Sequence, residues 1–363
     1  MKVLIAANSD MGLYKFRREL VERLIKENHE VFISLPDGEY IPALKEIGCK
    51  FIPCEFDRHG TNPVKELQQI QSYKKLLKEI KPDIVFTYTI KPNVYCGAAC
   101  ASMRIPYVAN ITGLGTAVEN GGLLQLITLT LYRFGLRKAQ RVFFQNLENK
   151  NFMLSKGIGK NSYDMLPGSG VNLDQYEPTE YPKNETIDFS FISRIMKEKG
   201  IDQYLEAAEF IREKYPETRF HIYGYAEPEY KGRLQEMIDQ GTVIYHGVVS
   251  DIAGVHKQSC CTIHPSYYPE GLSNVLLESS ACARPIITTD RSGCREVVED
   301  GVNGFVVKQK DSKDLIKQIE KFLQLSWEER KNMGLYGRAK VEKEFNREIV
   351  IEKYFKELKE VAK

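Results

Sequence analysis

The chain has 363 residues, and its 51 Lys and Arg residues nearly balance 49 Asp and Glu residues, which leaves a formal net charge of +2. That length exceeds what one hydrophobic core usually serves, so two domains are expected. The near-neutral charge argues against a dedicated nucleic-acid-binding protein. No uncharged apolar run reaches the roughly 20 residues that a membrane-spanning helix needs.

The eight cysteines do not occur at zinc-ligand spacings, and several lie in apolar runs where cysteine acts as a small hydrophobic residue. The sequence begins with a predicted strand rather than a signal peptide. We therefore expect the chain to occupy the reducing cytoplasm.

Short apolar runs alternate with longer segments of helical periodicity along the chain. Segments such as FRRELVERLIKEN and IDQYLEAAEFIREKY carry apolar residues at i, i+3, i+4 and i+7, which predicts amphipathic helices. The predicted strands of the first half are KVLIAA, EVFISL, CKFIPC, DIVFTYT, YVANIT and RVFFQN. Those of the second half are IDFSFIS, RFHIYG, TVIYHG, CCTIHPS, PIITTD and GFVVK.

This alternation predicts an α/β protein, because strands separated by helices form parallel sheets covered on both faces. The pattern breaks at residues 167–184, a segment rich in Gly, Pro and Asn that is typical of a linker. We predict two doubly wound, Rossmann-like domains, 1–175 and 176–345, facing each other across a cleft. A final helix at 346–363 could cross back to the first domain.

Polar residues that follow predicted strands are the first candidates for function, because ligands bind beyond the carboxyl ends of parallel strands. The first such segment is NSDMGLYKF, in which Gly12 would allow a close approach near a helix N-terminus that favours an anion. A plain strand-to-helix turn explains it equally well. The segment is not a GxGxxG dinucleotide fingerprint.

Residues 121–141, GGLLQLITLTLYRFGLRKAQR, are strongly apolar and end in several cations. Such a helix could lie in a membrane interface with its cations at anionic head groups. A buried helix of the first domain is the alternative.

The segment SRIMKEKGI follows the first strand of the second half and places Arg194 and Lys199 in one loop. An arginine fork and a lysine point charge beyond a strand could hold a diphosphate. A solvated charged loop is the alternative.

The segment HPSYYPEGLSNVLLESSA carries Glu270 before a predicted helix and Glu278 within it. The amides at the start of that helix would form an anion site, and they belong to Gly271, Leu272, Ser273 and Asn274. Glu278 follows Asn274 by one turn on the same face. Two carboxylates that bind hydroxyl groups, with a phosphate site between them, match the layout of a nucleotide sugar. The alternative is that Glu278 is a surface residue and Glu270 caps the helix.

These motifs resemble the family 4 retaining glycosyltransferases of the GT-B fold. The resemblance rests on SRIMKEKG, YHGVVSD and the stretch from HPSYYPEG to GFVV, and it covers almost the whole chain. It implies that the family's E-x7-E signature falls on Glu270, which would touch the transferred sugar, and Glu278, which would hold the ribose. It also implies that Arg194 and Lys199 bind the donor diphosphate, Val249 contacts the base and Gly12 lies in the first loop.

The segments FTYTIKPNVYCGAA, YVANITGLG and DRHGTNP resemble bacterial enzymes that add N-acetylgalactosamine or a similar sugar to undecaprenyl-diphosphate-linked glycans. The resemblance implies a UDP-sugar donor and a polyprenyl-diphosphate-linked acceptor contacted by Arg58 and Lys91 of the first domain. It also implies peripheral attachment to the inner face of the plasma membrane through 121–141. Many relatives carry a histidine near the reacting centre, but the TYTIKPN and NITGLG loops here have none, so no catalytic histidine is assigned.

The resemblance implies a retaining reaction in which the leaving diphosphate accepts the acceptor's proton, so no strong general base is required. No Asp-x-Asp motif stands at a strand end, so we expect no metal and no cofactor. The rival hypotheses are a soluble acceptor or another nucleotide donor, a nucleotide-sugar epimerase, a sugar phosphorylase with a pyridoxal lysine, and a non-enzymatic nucleotide-sugar-binding regulator. The hexose, the linkage, the acceptor glycan and the oligomeric state are left open.

Overall fold

A computed structural model describes residues 1–54, 63–119, 121–160, 162–183 and 185–362. The chain divides into two compact units. Unit 1 comprises Met1–Ser169 and Glu348–Lys363, and unit 2 comprises Gly170–Arg347. The sequence-based boundaries at 175 and 345 lie a few residues from these divisions, and the final helix is part of unit 1.

The strands of unit 1 are β1 Lys2–Ala6, β2 Glu30–Leu35, β3 Lys50–Pro53, β4 Ile84–Tyr88, β5 Tyr107–Ile111, β6 Arg141–Phe144 and β7 Tyr163–Met165. Those of unit 2 are β8 Ile187–Ile192, β9 Thr218–Tyr223, β10 Ile244–Tyr245, β11 Cys261–His264, β12 Ile286–Thr289 and β13 Gly304–Val307. Every predicted strand contains one of these strands except RFHIYG, which begins one residue after the start of β9 at Thr218. The sequence missed β7, because its three residues include no run of apolar side chains.

The helices of unit 1 before the crossover are α1 Asp10–Lys26, α2 Ile41–Ile47, α3 Pro63–Ile80, α4 Gly97–Met103, α5 Thr116–Glu119, α6 Gly122–Leu136 and α7 Leu147–Ser155. Those of unit 2 are α8 Ile201–Lys214, α9 Lys231–Asp239, α10 Ile252–Gln258, α11 Asn274–Ala281, α12 Ser312–Leu323 and α13 Trp327–Glu344, and α14 Arg347–Val361 follows. Shorter turns are the π-helix Pro92–Cys96 and the 3₁₀ turns Lys197–Lys199 and Pro228–Tyr230.

In the described part of the chain each unit has one parallel sheet, with the order β3-β2-β1-β4-β5-β6-β7 in unit 1 and β10-β9-β8-β11-β12-β13 in unit 2. The order reverses between β1 and β4 and between β8 and β11. Connections on the two sides of such a point run to opposite faces of the sheet, which leaves a crevice at the carboxyl ends of the strands. Ligand-binding residues are therefore expected after β1, β4, β8 and β11.

Helix α14 closes one face of the unit 1 sheet. Its buried apolar residues follow a helical period, and the Tyr354 ring packs against Phe86 at 4.8 Å and Phe143 at 5.2 Å between ring centroids. Burying an apolar side chain of this size contributes about 1.5–3 kcal/mol. The last helix of the sequence is thus part of the unit 1 core.

From Gly170 onwards, the segment predicted as a linker belongs to unit 2. Tyr176 and Tyr181 are buried, and the fully buried Arg284 donates hydrogen bonds to the Thr179 carbonyl and hydroxyl oxygens. The Gly and Pro content that suggested a linker therefore marks irregular backbone held by side chains of unit 2.

Candidate active site

The loop after β8 and the loop after β11 pack against each other at the reversal point of the unit 2 sheet. The Tyr267 N–H donates to the Glu198 carbonyl oxygen at 2.9 Å. Gly200 has a φ of 78°, and a Cβ there would lie 2.1 Å from the carbonyl oxygen of Pro265. Only glycine fits that position, so the sequence fixes how closely the two loops approach.

Lys199 and Glu270 form an ion pair between these loops, and their side chains are 13% and 16% exposed. Burial alone would raise the pKa of the Glu270 carboxyl, but the Lys199 ammonium and then the neighbouring His264 ring hold it well below its usual range. Glu270 is therefore ionised at neutral pH and can accept hydrogen bonds from hydroxyl groups.

His264 is almost fully buried beside this pair. Its Nε2 lies 3.8 Å from Glu270 Oε1 and 3.2 Å from the Ser273 hydroxyl. Burial lowers the pKa of His264, which keeps the imidazole neutral at physiological pH. This geometry lets the ring orient Glu270 and the start of α11.

Helix α11 begins at Asn274, within the stretch where the sequence predicts a helix to start. The Ser273 N–H donates to the Gly293 carbonyl at 2.7 Å, and the Leu272 side chain is buried in the apolar core of unit 2. The amides of Gly271, Leu272 and Ser273 therefore precede the helix, which corrects the predicted set of helix-end donors. The Ser273 hydroxyl contacts the imidazole and makes no capping bond, so the first amides of α11 have neither an intrahelical acceptor nor a side-chain cap.

Helix α11 is buried except along one narrow face, which contains Asn274, Val275 and Glu278. The Glu278 side chain is 15% exposed, and its Oε2 lies 3.9 Å from Nε2 of the buried His256. Burial and then the nearby Glu278 charge raise the pKa of Tyr176. Two buried side chains thus lie beside Glu278, which is on the same face as the helix end.

Arg194 and Val249 lie at the same edge of the unit 2 sheet. The Arg194 side chain is 53% exposed, and its guanidinium lies 3.8 Å from Glu227. Val249 is half-buried in the loop after β10, and that loop is joined to the loop after β9 by a 2.7 Å hydrogen bond from the Gly224 N–H to the Gly247 carbonyl. Arg194 is therefore free to turn towards an anion without leaving a buried partner.

The structure describes two of the three predicted site residues of unit 1. Gly12 lies within the first turn of α1 rather than in a loop, and its N–H donates to the Ser9 hydroxyl at 3.2 Å. Lys91 stands between β4 and the π-helix and pairs with Glu66 at 3.2 Å, so its charge is already partly balanced. Arg58 lies outside the described residues.

Helix α6 carries the apolar part of residues 121–141 on its surface. Its exposed apolar residues lie along one side of the helix and are Leu123, Leu124, Leu126, Ile127 and Phe134. Arg133, Arg137 and Lys138 are exposed as well, but Arg141 begins β6 and pairs with Glu357 at 2.7 Å. Arg141 is therefore a structural residue, which corrects the predicted set of surface cations. Among the described helices, none is both long and apolar enough to cross a bilayer.

The sequence analysis missed a buried polar network at the carboxyl edge of the unit 1 sheet. Asn93 Nδ2 donates to the Asn110 carbonyl at 2.9 Å, and its side-chain oxygen accepts from Thr87. Asn110 bonds Tyr354 of α14 at 2.9 Å and Gln145 at 3.1 Å. Part of the signal was available, because Thr87, Asn110 and Gln145 lie near the ends of predicted strands.

Both halves of the chain match known protein families. The family described as Glycosyl transferases group 1 matches residues 176–340, and the family described as Glycosyl transferase 4-like matches residues 2–146. One relative is a Campylobacter jejuni N,N'-diacetylbacillosaminyl-diphospho-undecaprenol α-1,3-N-acetylgalactosaminyltransferase. It is 27% identical to this chain, and the match covers 98% of each protein. An Escherichia coli UDP-Gal:α-D-GlcNAc-diphosphoundecaprenol α-1,3-galactosyltransferase is 23% identical over 70% of each chain.

Solved structures agree on the fold. Anabaena HepE in complex with UDP and glucose superposes with a TM-score of 0.80 at 17% identity, over 99% of this chain and 100% of HepE. WaaG, a glycosyltransferase involved in lipopolysaccharide biosynthesis, gives a TM-score of 0.75 at 16% identity over 98% of both chains. With two parallel-sheet units, matches to both family descriptions and these neighbours, the chain belongs to the group 1 glycosyltransferases, with a glycosyl transferase 4-like N-terminal half and the GT-B fold.

Proposed function

We propose that this glycosyltransferase moves a hexose such as N-acetylgalactosamine or galactose from a UDP-sugar to a polyprenyl-diphosphate-linked glycan. The observation that carries the proposal is the Lys199–Glu270 pair beside the uncapped N-terminus of α11. Lys199 and the helix end offer positive charge, and the adjacent Glu270 carboxylate can accept hydrogen bonds from hydroxyl groups. The two relatives from Campylobacter and Escherichia coli, whose acceptors are diphospho-undecaprenol saccharides, support the acceptor class. HepE, solved with UDP, supports the nucleotide.

In this proposal each group has one task. The first amides of α11, Lys199 and Arg194 hold the diphosphate, because fixed donors stabilise charge that grows on the leaving group. Glu270 accepts hydrogen bonds from the transferred sugar and Glu278 from the ribose, while the backbone near Val249 contacts the base. In unit 1, the Gly12 turn serves the nucleotide-sugar donor, and Arg58 and Lys91 serve the diphosphate of the glycan acceptor.

The reaction is proposed to retain the anomeric configuration. The bond between the sugar C1 and the diphosphate oxygen breaks, the acceptor oxygen bonds to C1 on the same face, and the hydroxyl proton passes to the departing diphosphate. The α-1,3 linkages in the names of both relatives suit retention, because UDP-galactose-type donors are α-linked. Protein cations supply the charge that a metal would, so activity is proposed to be metal-independent and to need no cofactor.

The protein is also proposed to work at the cytoplasmic face of the plasma membrane, attached through α6. The exposed apolar side of α6 and the cations at its carboxyl end together form an amphipathic surface, which suits an anionic bilayer. The proposed acceptor lies in that membrane.

The direct test offers a panel of radiolabelled UDP-hexoses and a polyprenyl-diphosphate-linked saccharide in EDTA, and follows label into the organic phase. We expect transfer from one UDP-hexose, an α-linked product by NMR, and strong loss in Glu270→Gln. Glu236→Gln, an exposed carboxylate on α9, serves as the matched control. Activity that requires a divalent ion would refute metal independence, and a β-linked product would refute retention.

A further inference from the structure

A cavity of about 170 Å³ opens beside the carboxyl end of α6 in unit 1. Its polar lining comes from Arg133 and Arg137 of the α6 end and from Lys160 and Ser162 of the loop after α7. The buried side chains of Leu136 and Ile158 also line it. Cations over an apolar lining attract an anion more strongly than they would in open water, because the local dielectric constant is lower.

The cavity adjoins the exposed apolar side of α6. Arg133 and Arg137 flank Phe134 in sequence, and the Arg137 guanidinium lies 4.2 Å from the Phe134 ring centroid. Phe134 is 45% exposed and belongs to the same apolar side as Leu123 and Ile127. A bilayer that receives these side chains would therefore place its head groups near the cavity.

Helix capping explains only part of this charge. Arg133 donates a hydrogen bond to the Lys156 carbonyl at the carboxyl end of α7, at 2.8 Å. Cations commonly cap helix carboxyl ends in this way. The carboxyl ends of α6 and α7 carry roughly half a negative charge each, which three full cations exceed. In the described chain, neither Arg137 nor Lys160 pairs with a carboxylate. Arg137 also donates to the Phe134 carbonyl at 3.5 Å, yet the cavity keeps a surplus of positive charge beyond these helix-end contacts.

We propose that this cavity binds the phosphate group of a membrane lipid head group. The inference rests on the proposed membrane attachment and adds a specific contact to it. The shared chemistry is a phosphate whose oxygens accept from Arg137, Lys160 and the Ser162 hydroxyl.

The test is flotation of the full chain with three kinds of vesicle: phosphatidylcholine alone, phosphatidylcholine with phosphatidic acid, and phosphatidylcholine with a fatty acid at equal surface charge. Arg137→Gln and Lys160→Gln are each expected to weaken binding to the phosphatidic acid vesicles roughly fivefold, and to the fatty acid vesicles much less. Lys138→Gln is the matched control, because Lys138 is an exposed cation next to Arg137 that does not line the cavity.

Three outcomes would overturn the proposal. Equal losses for the Lys138 variant and the cavity variants would show general surface attraction. If wild type floats and both cavity variants bind the vesicles equally well, the cavity has no role in binding, whereas attachment through α6 is still supported. If no vesicle floats wild type, the attachment itself is wrong, and inorganic phosphate followed by NMR at Ser162 then shows whether the cavity binds only the free anion.

Discussion

Before the nucleotide-sugar donor binds, the charges of Lys199 and Glu270 neutralise each other. A shielded ion pair costs desolvation free energy on both sides, so it contributes little net stability by itself. An arriving diphosphate adds negative charge next to Lys199, which can then interact with both anions. The pair is therefore better explained as a prepared binding group than as a stabilising contact.

Lys199→Ala is expected to lower turnover by a factor on the order of 100 or more, because it removes a fixed donor from the leaving group. Steady-state transfer from the UDP-sugar measures this. Lys197→Ala is the matched control, since Lys197 lies in the same 3₁₀ turn with an exposed side chain. Equal turnover in both variants would take Lys199 out of the reaction.

The lowered pKa of Glu270 predicts a pH-dependent contribution to stability. Its folded pKa lies below the unfolded value of about 4.3, so the contribution is present above that value and is lost as pH falls towards the folded pKa. The melting temperature of wild type relative to Glu270→Gln should therefore drop between pH 7 and pH 3.5. A difference that stays constant with pH would contradict the described environment of Glu270, and Glu236→Gln should show none.

Sequence alone could locate Glu270, Glu278, Arg194 and Lys199, because they follow strands at informative spacings. It could not locate Tyr176 or His256, whose buried side chains lie beside Glu278. Tyr176 lies about 100 residues away in a segment that resembled a linker, and only tertiary packing brings it to the carboxylate.

At the scale of elements, the approach of the two loops after β8 and β11 depends on Gly200. Gly200→Ala would force the Pro265 carbonyl away and is expected to lower the melting temperature and to raise the KM for the donor. Gly241→Ala is the control, because Gly241 has a similar φ of 70° but open space around its Cβ position. It should show only the backbone strain, about 1–2 kcal/mol. An equal donor KM in the two variants would show that the loops do not need this contact.

Helix α6 gives a second prediction at this scale. Leu123→Gln combined with Ile127→Gln removes two exposed apolar side chains, 73% and 47% exposed, and should reduce flotation with anionic vesicles at least tenfold. Leu335→Gln on α13, whose leucine is 46% exposed, is the matched control. Flotation that survives the double change would place the membrane contact elsewhere.

The alternation of strands and helices was visible in the sequence because parallel strands are nearly continuous apolar runs. The start of α11 near Asn274 was visible as well, but the acceptor of the Ser273 N–H was not. Ser273 is the N-cap residue because its backbone bonds Gly293 and its hydroxyl contacts the His264 ring, partners that come from the fold and not from local propensity.

At the scale of the molecule, each unit places its candidate residues where its own sheet order reverses. The loops after β8 and β11 meet at that point in unit 2, and strands β1 and β4 are neighbours at the equivalent point in unit 1. The length of the chain and the break in its strand–helix alternation predicted two such domains. The crossover at Ser169 and Arg347 was less visible, because Tyr176 and Tyr181 extend unit 2 towards the N-terminus of the chain.

The most direct measurement is binding of UDP, GDP, CDP and ADP, in EDTA, to wild type and Lys199→Ala by thermal shift. A ligand that binds only the folded state stabilises it by about 2.7 kcal/mol at a hundredfold excess over its dissociation constant. We predict that UDP alone raises the melting temperature of wild type, and that the shift shrinks in the variant. A shift with another nucleotide only, or a UDP shift that is the same in both proteins, would contradict the assignment of the Lys199–Glu270 site to a UDP-sugar.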